Sequence, residues 1–261
     1  MIISIANLKG GTAKTTTVIT FATLLAKMDK SVLLVDMDAQ ASLTNFILGI
    51  EDNALLEDQT ITNSLLNGGE LPLLHVDRHN VDIIPSGPVL GKAELELATM
   101  QDSIENSRVL KLRNLLAEVR DDYDYILIDC PGNLGLLSMN GIAASDYVLT
   151  VSSVGKFERS ATRFFINYIN NVIIKDYAPT LQHLGILLTM TDAYPITDKM
   201  KSRLKEIPEL ADKVLFNTIP KNNPIRNATE ENTTGIAYDV YSTSSQAYMK
   251  SLDEILERIQ G

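Results

Sequence analysis

The segment Leu8-Lys9-Gly10-Gly11-Thr12-Ala13-Lys14-Thr15-Thr16 carries the strongest structural signal in the chain. A short apolar run, Ile2-Ile3-Ser4-Ile5-Ala6, precedes it, and residues 15–28 after it are long enough and apolar enough for a buried helix. Strand, glycine-bearing loop and helix in that order bring unpaired helix N–H groups and the positive end of the helix dipole to the loop, which favours an anion. Phosphate suits the residue types present. Gly10 and Gly11 let backbone N–H groups crowd a phosphate chain, Lys14 can neutralise β- and γ-oxygens, and the Thr15 hydroxyl can ligate Mg²⁺.

Working outward, Val32-Leu33-Leu34-Val35 is an apolar run ending in Asp36, and Tyr125-Ile126-Leu127-Ile128 is another ending in Asp129. Continuous rather than alternating apolar runs suit parallel strands covered on both faces. The pattern predicts further strands at 81–85, 147–151, 184–189 and 214–217, with helices between most of them, among them 107–119, 160–174 and 244–259. Strands alternating with helices imply an α/β fold: a doubly wound, mostly parallel sheet flanked by helices, with its ligand at the carboxyl ends of the strands. No internal repeat, low-complexity tract or interdomain linker interrupts the chain, so residues 1–261 read as a single domain, with the acidic segment 51–58 a solvated stretch of surface. Three acids, Asp36, Asp38 and Asp129, at two strand ends beside one phosphate loop compose a polyphosphate–Mg²⁺ site.

Composition narrows the function classes. With 45% hydrophobic and 21% charged residues in 261, the chain can bury a sizeable core, and disorder is excluded as its main description. Its single cysteine, Cys130, rules out an intramolecular disulfide framework and any cluster or zinc site built on paired cysteines of one chain. His75, His79 and His183 lack metal-ligand spacing with a third ligand and are expected to be surface histidines. No apolar run has the ~18 residues of a membrane span, and the first residues lack the basic region of a secretory signal, so a cytoplasmic location is expected. The net charge of −10 is uneven: residues 1–151 carry 10 basic and 20 acidic side chains, and residues 152–261 carry 13 of each.

Read strictly, the phosphate-loop pattern G-x-x-x-x-G-K-[ST] fails, because Leu8 and Ala13 stand at its glycine positions. What remains, Lys9-Gly10-Gly11 followed by Lys14-Thr15-Thr16, resembles the deviant Walker A motif of the ParA/MinD group of P-loop ATPases, whose signature is an additional early lysine, here Lys9. Val35-Asp36-Met37-Asp38-Ala39-Gln40 is similar to that group's V-D-x-D-x-Q switch, and Ile128-Asp129-Cys130-Pro131-Gly132 to its Walker B strand end. The overall pattern most resembles the small ParA-type partition ATPases, through Ser42-Leu43-Thr44, residues 83–87, 123–136 and 217–222, and is least recognisable over 50–80. Departures are Ala13 for a frequent glycine, Ala39 for a usual proline, Pro131-Gly132 for Pro-Pro, and Lys221 where arginine is common.

The resemblance implies a Mg²⁺-dependent ATPase that dimerises with ATP. Lys14, Thr15 and the loop residues Lys9, Gly10, Gly11, Thr12, Ala13 and Thr16 would hold the nucleotide, and Thr15, Asp36 and Asp129 the Mg²⁺ with its waters. Lys9 would reach the partner's phosphates across a homodimer, Asp38 would position the attacking water, and the main chain at Pro220-Lys221 would edge the adenine. It further implies plasmid or chromosome partition on the nucleoid: binding of nonspecific DNA in the ATP state, and release when a ParB-type centromere-binding adaptor stimulates hydrolysis. Candidate DNA contacts are Lys199, Lys201, Arg203 and Arg226, in a region with seven bases against five acids between Asp192 and Arg226. The competing expectation is a MinD-like or cargo-positioning ATPase acting on a membrane or protein cargo. A membrane role is disfavoured because the polar face of 251–259 carries three acids and one arginine, where an anionic leaflet selects a basic face.

Overall fold

In the computed structural model, which describes residues 1–50, 55–101, 107–191, 195–221 and 233–260, the first apolar run is strand β1 (Ile2–Ala6) and the helix after the loop is α1 (Lys14–Lys27). The chain continues through β2 (Val32–Asp36), α2 (Ser42–Leu48), α3 (Ile61–Asn67), β3 (Leu74–Val76), β4 (Val81–Ile84), α4 (Leu90–Thr99) and α5 (Lys111–Leu116). Next come β5 (Tyr125–Asp129), α6 (Leu136–Ala143), β6 (Tyr147–Ser153) and α7 (Lys156–Tyr168), which runs on into a π-helical stretch, Ile169–Tyr177. Strand β7 (Gln182–Thr191), α8 (Pro195–Lys205), β8 (Val214–Pro220), a helical turn at Gly235–Tyr238 and α9 (Thr243–Gln260) complete the described elements.

The eight strands form one sheet ordered β3-β4-β2-β5-β1-β6-β7-β8. Every neighbouring pair is parallel except the β3–β4 edge. Although the runs are apolar throughout, side chains still alternate between faces. Ile2, Ala6, Leu33, Val35, Ile126 and Ile128 enter a core layer with α3 to α7, while Ile3, Ile5, Val32, Leu34 and Leu127 pack beneath α1, α2 and α9. Burying each such Ile, Leu or Val contributes about 1.5–3 kcal/mol, and the two-sided coverage explains why these strands carry no polar face.

All strands predicted from the apolar runs are present, and β3 is an addition. Its three residues, Leu74-His75-Val76, alternate at a sheet edge and offer too short an apolar signal. The helix expected over 107–119 is regular only at Lys111–Leu116, since 107–110 form a turn and Arg120–Asp122 a 3₁₀ turn. Part of the acidic segment 51–58 lies outside the described residues.

Topology sets the site. The chain leaves β1 toward β2 on one side and later fills β6, β7 and β8 on the other, so β1 flanks the point where strand order reverses, a crevice where such sheets bind ligands. Register places Asp36 opposite Asp129, and Asp129 opposite Ile5. The ends of β1, β2 and β5 are therefore level, and the loop and both acids share one edge.

Candidate functional site

The β1–α1 loop turns through two left-handed residues, Gly11 (φ 73°) and Ala13 (φ 66°, ψ 30°). Glycine takes that conformation freely, whereas an L-residue incurs about 1–2 kcal/mol. Ala13 thus stands where glycine would be relaxed, and the loop keeps its shape through tethers. Thr189 Oγ1 donates to Thr12 O (2.8 Å), and Thr17 Oγ1 donates to Ala13 O (2.7 Å). A β-carbon built on Gly10 or Gly11 meets nothing within 4 Å, because both positions face the open space the loop encloses.

That space is a cavity of about 480 Å³. Gly10, Gly11, Thr12, Ala13, Lys14, Thr15 and Thr16 form one wall, joined by Asp38, Gln40 and Gly132. Ile19, Phe46, Met190 and Thr233-Thr234-Gly235 supply a less polar region suited to a base or sugar. Lys14 is only 7% exposed, and its ammonium donates to Lys9 O (3.0 Å). Lys9 turns its own ammonium to Glu158 Oε1 on the first turn of α7 (2.8 Å), an ion pair that holds the Glu158 carboxyl below the usual range.

Asp36 and Asp129 are buried side by side. Asp36 is well supported: it accepts from Thr44 N (2.9 Å), Thr44 Oγ1 (2.8 Å) and Asp38 N (3.0 Å), yet burial still pushes it up to about 6. Among the described residues the Asp129 carboxylate accepts a single bond, from Thr15 Oγ1 (2.6 Å), and its Oδ1 is buried with no partner. Burial, and then the charge of Asp36, push Asp129 up to about 8. A buried carboxylate oxygen without a donor, beside a threonine hydroxyl and a second acid, fits a divalent cation and its water shell. Asp38 reaches the cavity from the turn after β2, with Oδ1 accepting from Gln40 N (3.0 Å).

The structure brings Lys9, the loop, Lys14, Thr15, Asp36, Asp38 and Asp129 together. Pro220 ends β8 opposite Thr191 and Lys221 follows it, its N donating to Thr191 O (3.0 Å); neither is among the cavity's lining residues. Of the candidate DNA contacts on α8, Lys199 is exposed and Arg203 half-buried. Lys201 is turned away to the β8 edge, where its ammonium bonds Phe216 O and lies 5.5 Å from that ring's centre. Residues two apart on a helix do not share a face, so the odd-numbered cations 199, 201 and 203 form no single stripe. Arg226 lies outside the described residues.

Sequence reasoning did not assign Glu158, Thr44, Ser86 or the 233–235 wall. Ser86 Oγ donates to Asp38 O (2.7 Å) and Ser86 N to Thr44 Oγ1 (2.9 Å), so the turn after β4 braces the turn after β2. Thr44 and Ser86 both lie in segments that resemble the family, which was the available signal; a lone glutamate 149 residues from Lys9 offered none.

Among the described residues no helix is long and apolar enough to cross a membrane. The apolar side of α9 is buried in the core through Tyr248, Leu252 and Ile255. Its Glu254 accepts from Phe216 N and Asn217 N, and its Arg258 donates to Leu184 O.

Comparison with known proteins agrees with this geometry. The sequence profile of the AAA domain family matches residues 1–183. The sporulation initiation inhibitor protein Soj of Bacillus subtilis is 33% identical over 257 residues, 97% of either chain. The chromosome partitioning protein ParA of Myxococcus xanthus is 32% identical over 98% of this chain and 88% of its own. Cobyrinic acid a,c-diamide synthase of Mycobacterium smegmatis, solved with bound ADP and magnesium, matches with a TM-score of 0.82 at 28% identity, covering 100% of this chain and 95% of that one.

Proposed function

Since the chain belongs to the AAA domain family and is about a third identical, over nearly its full length, to a chromosome partitioning protein ParA and a chromosome-partitioning ATPase Soj, we propose that it is a Mg²⁺-dependent, ATP-dimerising partition ATPase that binds nonspecific DNA in its ATP state. The observation that carries the reading is the shared cavity. Gly10 to Thr16, with the Lys14 side chain and the Thr15 hydroxyl, and Asp38 line a space of nucleotide size, and the paired, buried Asp36–Asp129 stand behind Thr15 rather than in the lining. Residues 1–261 act as one domain in this reading.

The cavity assigns roles by chemistry. Backbone N–H groups of residues 10–16 and the Lys14 ammonium take the phosphate chain, which would release Lys14 from Lys9 O. Thr15, Asp36 and Asp129 would hold Mg²⁺, which when bound supplies charge to the phosphate oxygens. Asp38, with its backbone fixed by Asp36 and Ser86, orients the attacking water. Lys9, once free of Glu158, reaches the partner's phosphates in a homodimer. The main chain at Pro220-Lys221 edges the adenine from beyond the lining residues.

Hydrolysis, stimulated by a ParB-type centromere-binding adaptor, releases the dimer from DNA, so the protein moves cargo along the nucleoid. Lys199, Arg203 and Arg226 are the DNA contacts in this reading, and Lys201 serves the β8 edge instead. The burial of α9's apolar side supports DNA over a membrane surface.

Retention on a nonspecific DNA surface, with ATP, ADP or no nucleotide at low and moderate salt, tests the reading. ATP-specific retention that weakens steeply with salt and disappears in Lys14→Ala is the expected result. Retention that is indifferent to nucleotide, or none in any state, would reject the DNA function.

A further inference from the structure

Behind the phosphate loop lies a buried hydroxyl with no role in the chemistry above. Tyr248, on α9, is 1% exposed, and its phenol oxygen lies 3.2 Å from Thr17 Oγ1 on α1. Phe21, one turn after Thr17, meets the Tyr248 ring edge to face, with centroids 6.0 Å apart and planes at 87°. The phenol is therefore held against α1 from two sides.

The direction of the bonds follows from counting protons. Thr17 has one hydroxyl hydrogen, and the short bond to Ala13 O (2.7 Å) takes it. Thr17 Oγ1 then accepts from Tyr248. The chain runs Tyr248 O–H to Thr17 O–H to Ala13 C=O, and each bond polarises the next. Burial pushes the Tyr248 phenol up to about 12, so the donor keeps its proton across the physiological range.

Its end point is Ala13, the loop's one non-glycine residue in the left-handed region, at φ 66°. Ala13 O receives both Thr17 N (2.9 Å) and Thr17 Oγ1, while the preceding carbonyl, Thr12 O, is tied to Thr189. In a planar trans peptide the C=O and N–H point opposite ways, so pinning these two carbonyls aims the N–H groups of Ala13 and Lys14 away from the tethers. Ala13 and Lys14 line the cavity.

We infer that Tyr248 is a positioning residue for nucleotide binding: through Thr17 it holds Ala13 in its left-handed conformation and so presets the phosphate-binding amides. The inference rests on the reading that this loop binds ATP. It also accounts for how alanine is accommodated at a position where glycine would need no support.

Four proteins test it: the parent, Tyr248→Phe, Ala13→Gly and the double variant, each titrated with Mg·ATP by calorimetry and each unfolded in urea to verify folding. Tyr248→Phe keeps the ring and its contact with Phe21 and removes one hydroxyl. It should weaken ATP binding by about fivefold, the scale of one lost hydrogen bond. In the Ala13→Gly background the same change should cost less than about twofold, because a glycine backbone adopts the left-handed form unaided. Equal ATP affinity in parent and Tyr248→Phe would overturn the inference, as would an undiminished loss in the Ala13→Gly background, which is what a packing role for Tyr248 gives. A folded parent that binds no Mg·ATP would overturn the nucleotide reading and this inference together; a parent that binds with no effect of Tyr248→Phe overturns this one alone.

Discussion

Replacing Asp129 by asparagine should make the nucleotide-free protein more stable at pH 8, although the same change removes a candidate metal ligand. Asp129 is buried opposite Asp36, and among the described residues its carboxylate accepts one bond and leaves Oδ1 without a partner. Its rise from 3.8 to about 8, caused by burial and then by Asp36, corresponds at 1.36 kcal/mol per pH unit to an effect on the order of a few kcal/mol that belongs to the pair. The folded chain thus holds this proton to a higher pH than the unfolded chain does. Stability from this group is complete below about pH 4 and is lost as pH rises to about 8, at up to ~1.4 kcal/mol per unit. Asp36, raised to about 6 chiefly by burial, adds to the slope between about 4 and 6 in the parent. Asparagine has no proton to lose and can still accept from Thr15. Urea unfolding of parent and Asp129→Asn at pH 5, 6, 7 and 8 should show a gap that widens with pH to several kcal/mol in the variant's favour. A gap independent of pH, or a less stable variant at pH 8, would refute the placement of the proton.

Gly132→Ala should damage the loop from outside it. A β-carbon there would lie 2.8 Å from Gly10 N and 3.1 Å from Gly10 Cα, backbone that must move at a cost of about 1–3 kcal/mol; Mg·ATP affinity measured by calorimetry should fall at least about fivefold, and unchanged affinity would contradict the contact. Glu158→Gln removes the charge that holds Lys9, and on the scale of an exposed pair it should lower the ATP concentration needed for dimerisation by up to about fivefold in sedimentation experiments; a higher requirement would show that Glu158 assists Lys9. Lys199→Ala should reduce the slope of log affinity for DNA against log salt by about 1. Lys201→Ala, whose ammonium serves the Phe216 carbonyl, should leave that slope unchanged; the opposite ranking would reverse the assignment of the α8 face.

The fold was legible wherever a residue's role depends on its neighbours in sequence. Strands β1, β2 and β5 are apolar runs that end in a loop or an acid, and that local pattern carries both the sheet and its functional edge. Asp36 and Asp129 were readable as a pair because each closes such a run. What escaped needed contacts between distant segments. Glu158 is one glutamate on an amphipathic helix until the fold sets it 2.8 Å from Lys9. Lys201 belonged to a cluster of bases by composition, and the β8 edge claims it only in three dimensions. The glycine at 132 read as a departure from a proline; the structure supplies its reason, since the loop backbone passes where a β-carbon would be. Alanine at 13 was visible, but its left-handed backbone and its support from α9 were not.

The groups that would meet Mg·ATP already have partners within the chain. Lys14 is bonded to Lys9 O, Lys9 to Glu158, and Thr15 to Asp129. Binding therefore exchanges one set of bonds for another, and each exchange returns only the difference between two interactions of about 1–3 kcal/mol. Asp129 Oδ1 differs: it is buried and, among the described residues, has no partner to give up. On the proposed reading such a site gains most where a cation reaches that oxygen, and moving Lys9 off Glu158 would free its ammonium for a second subunit.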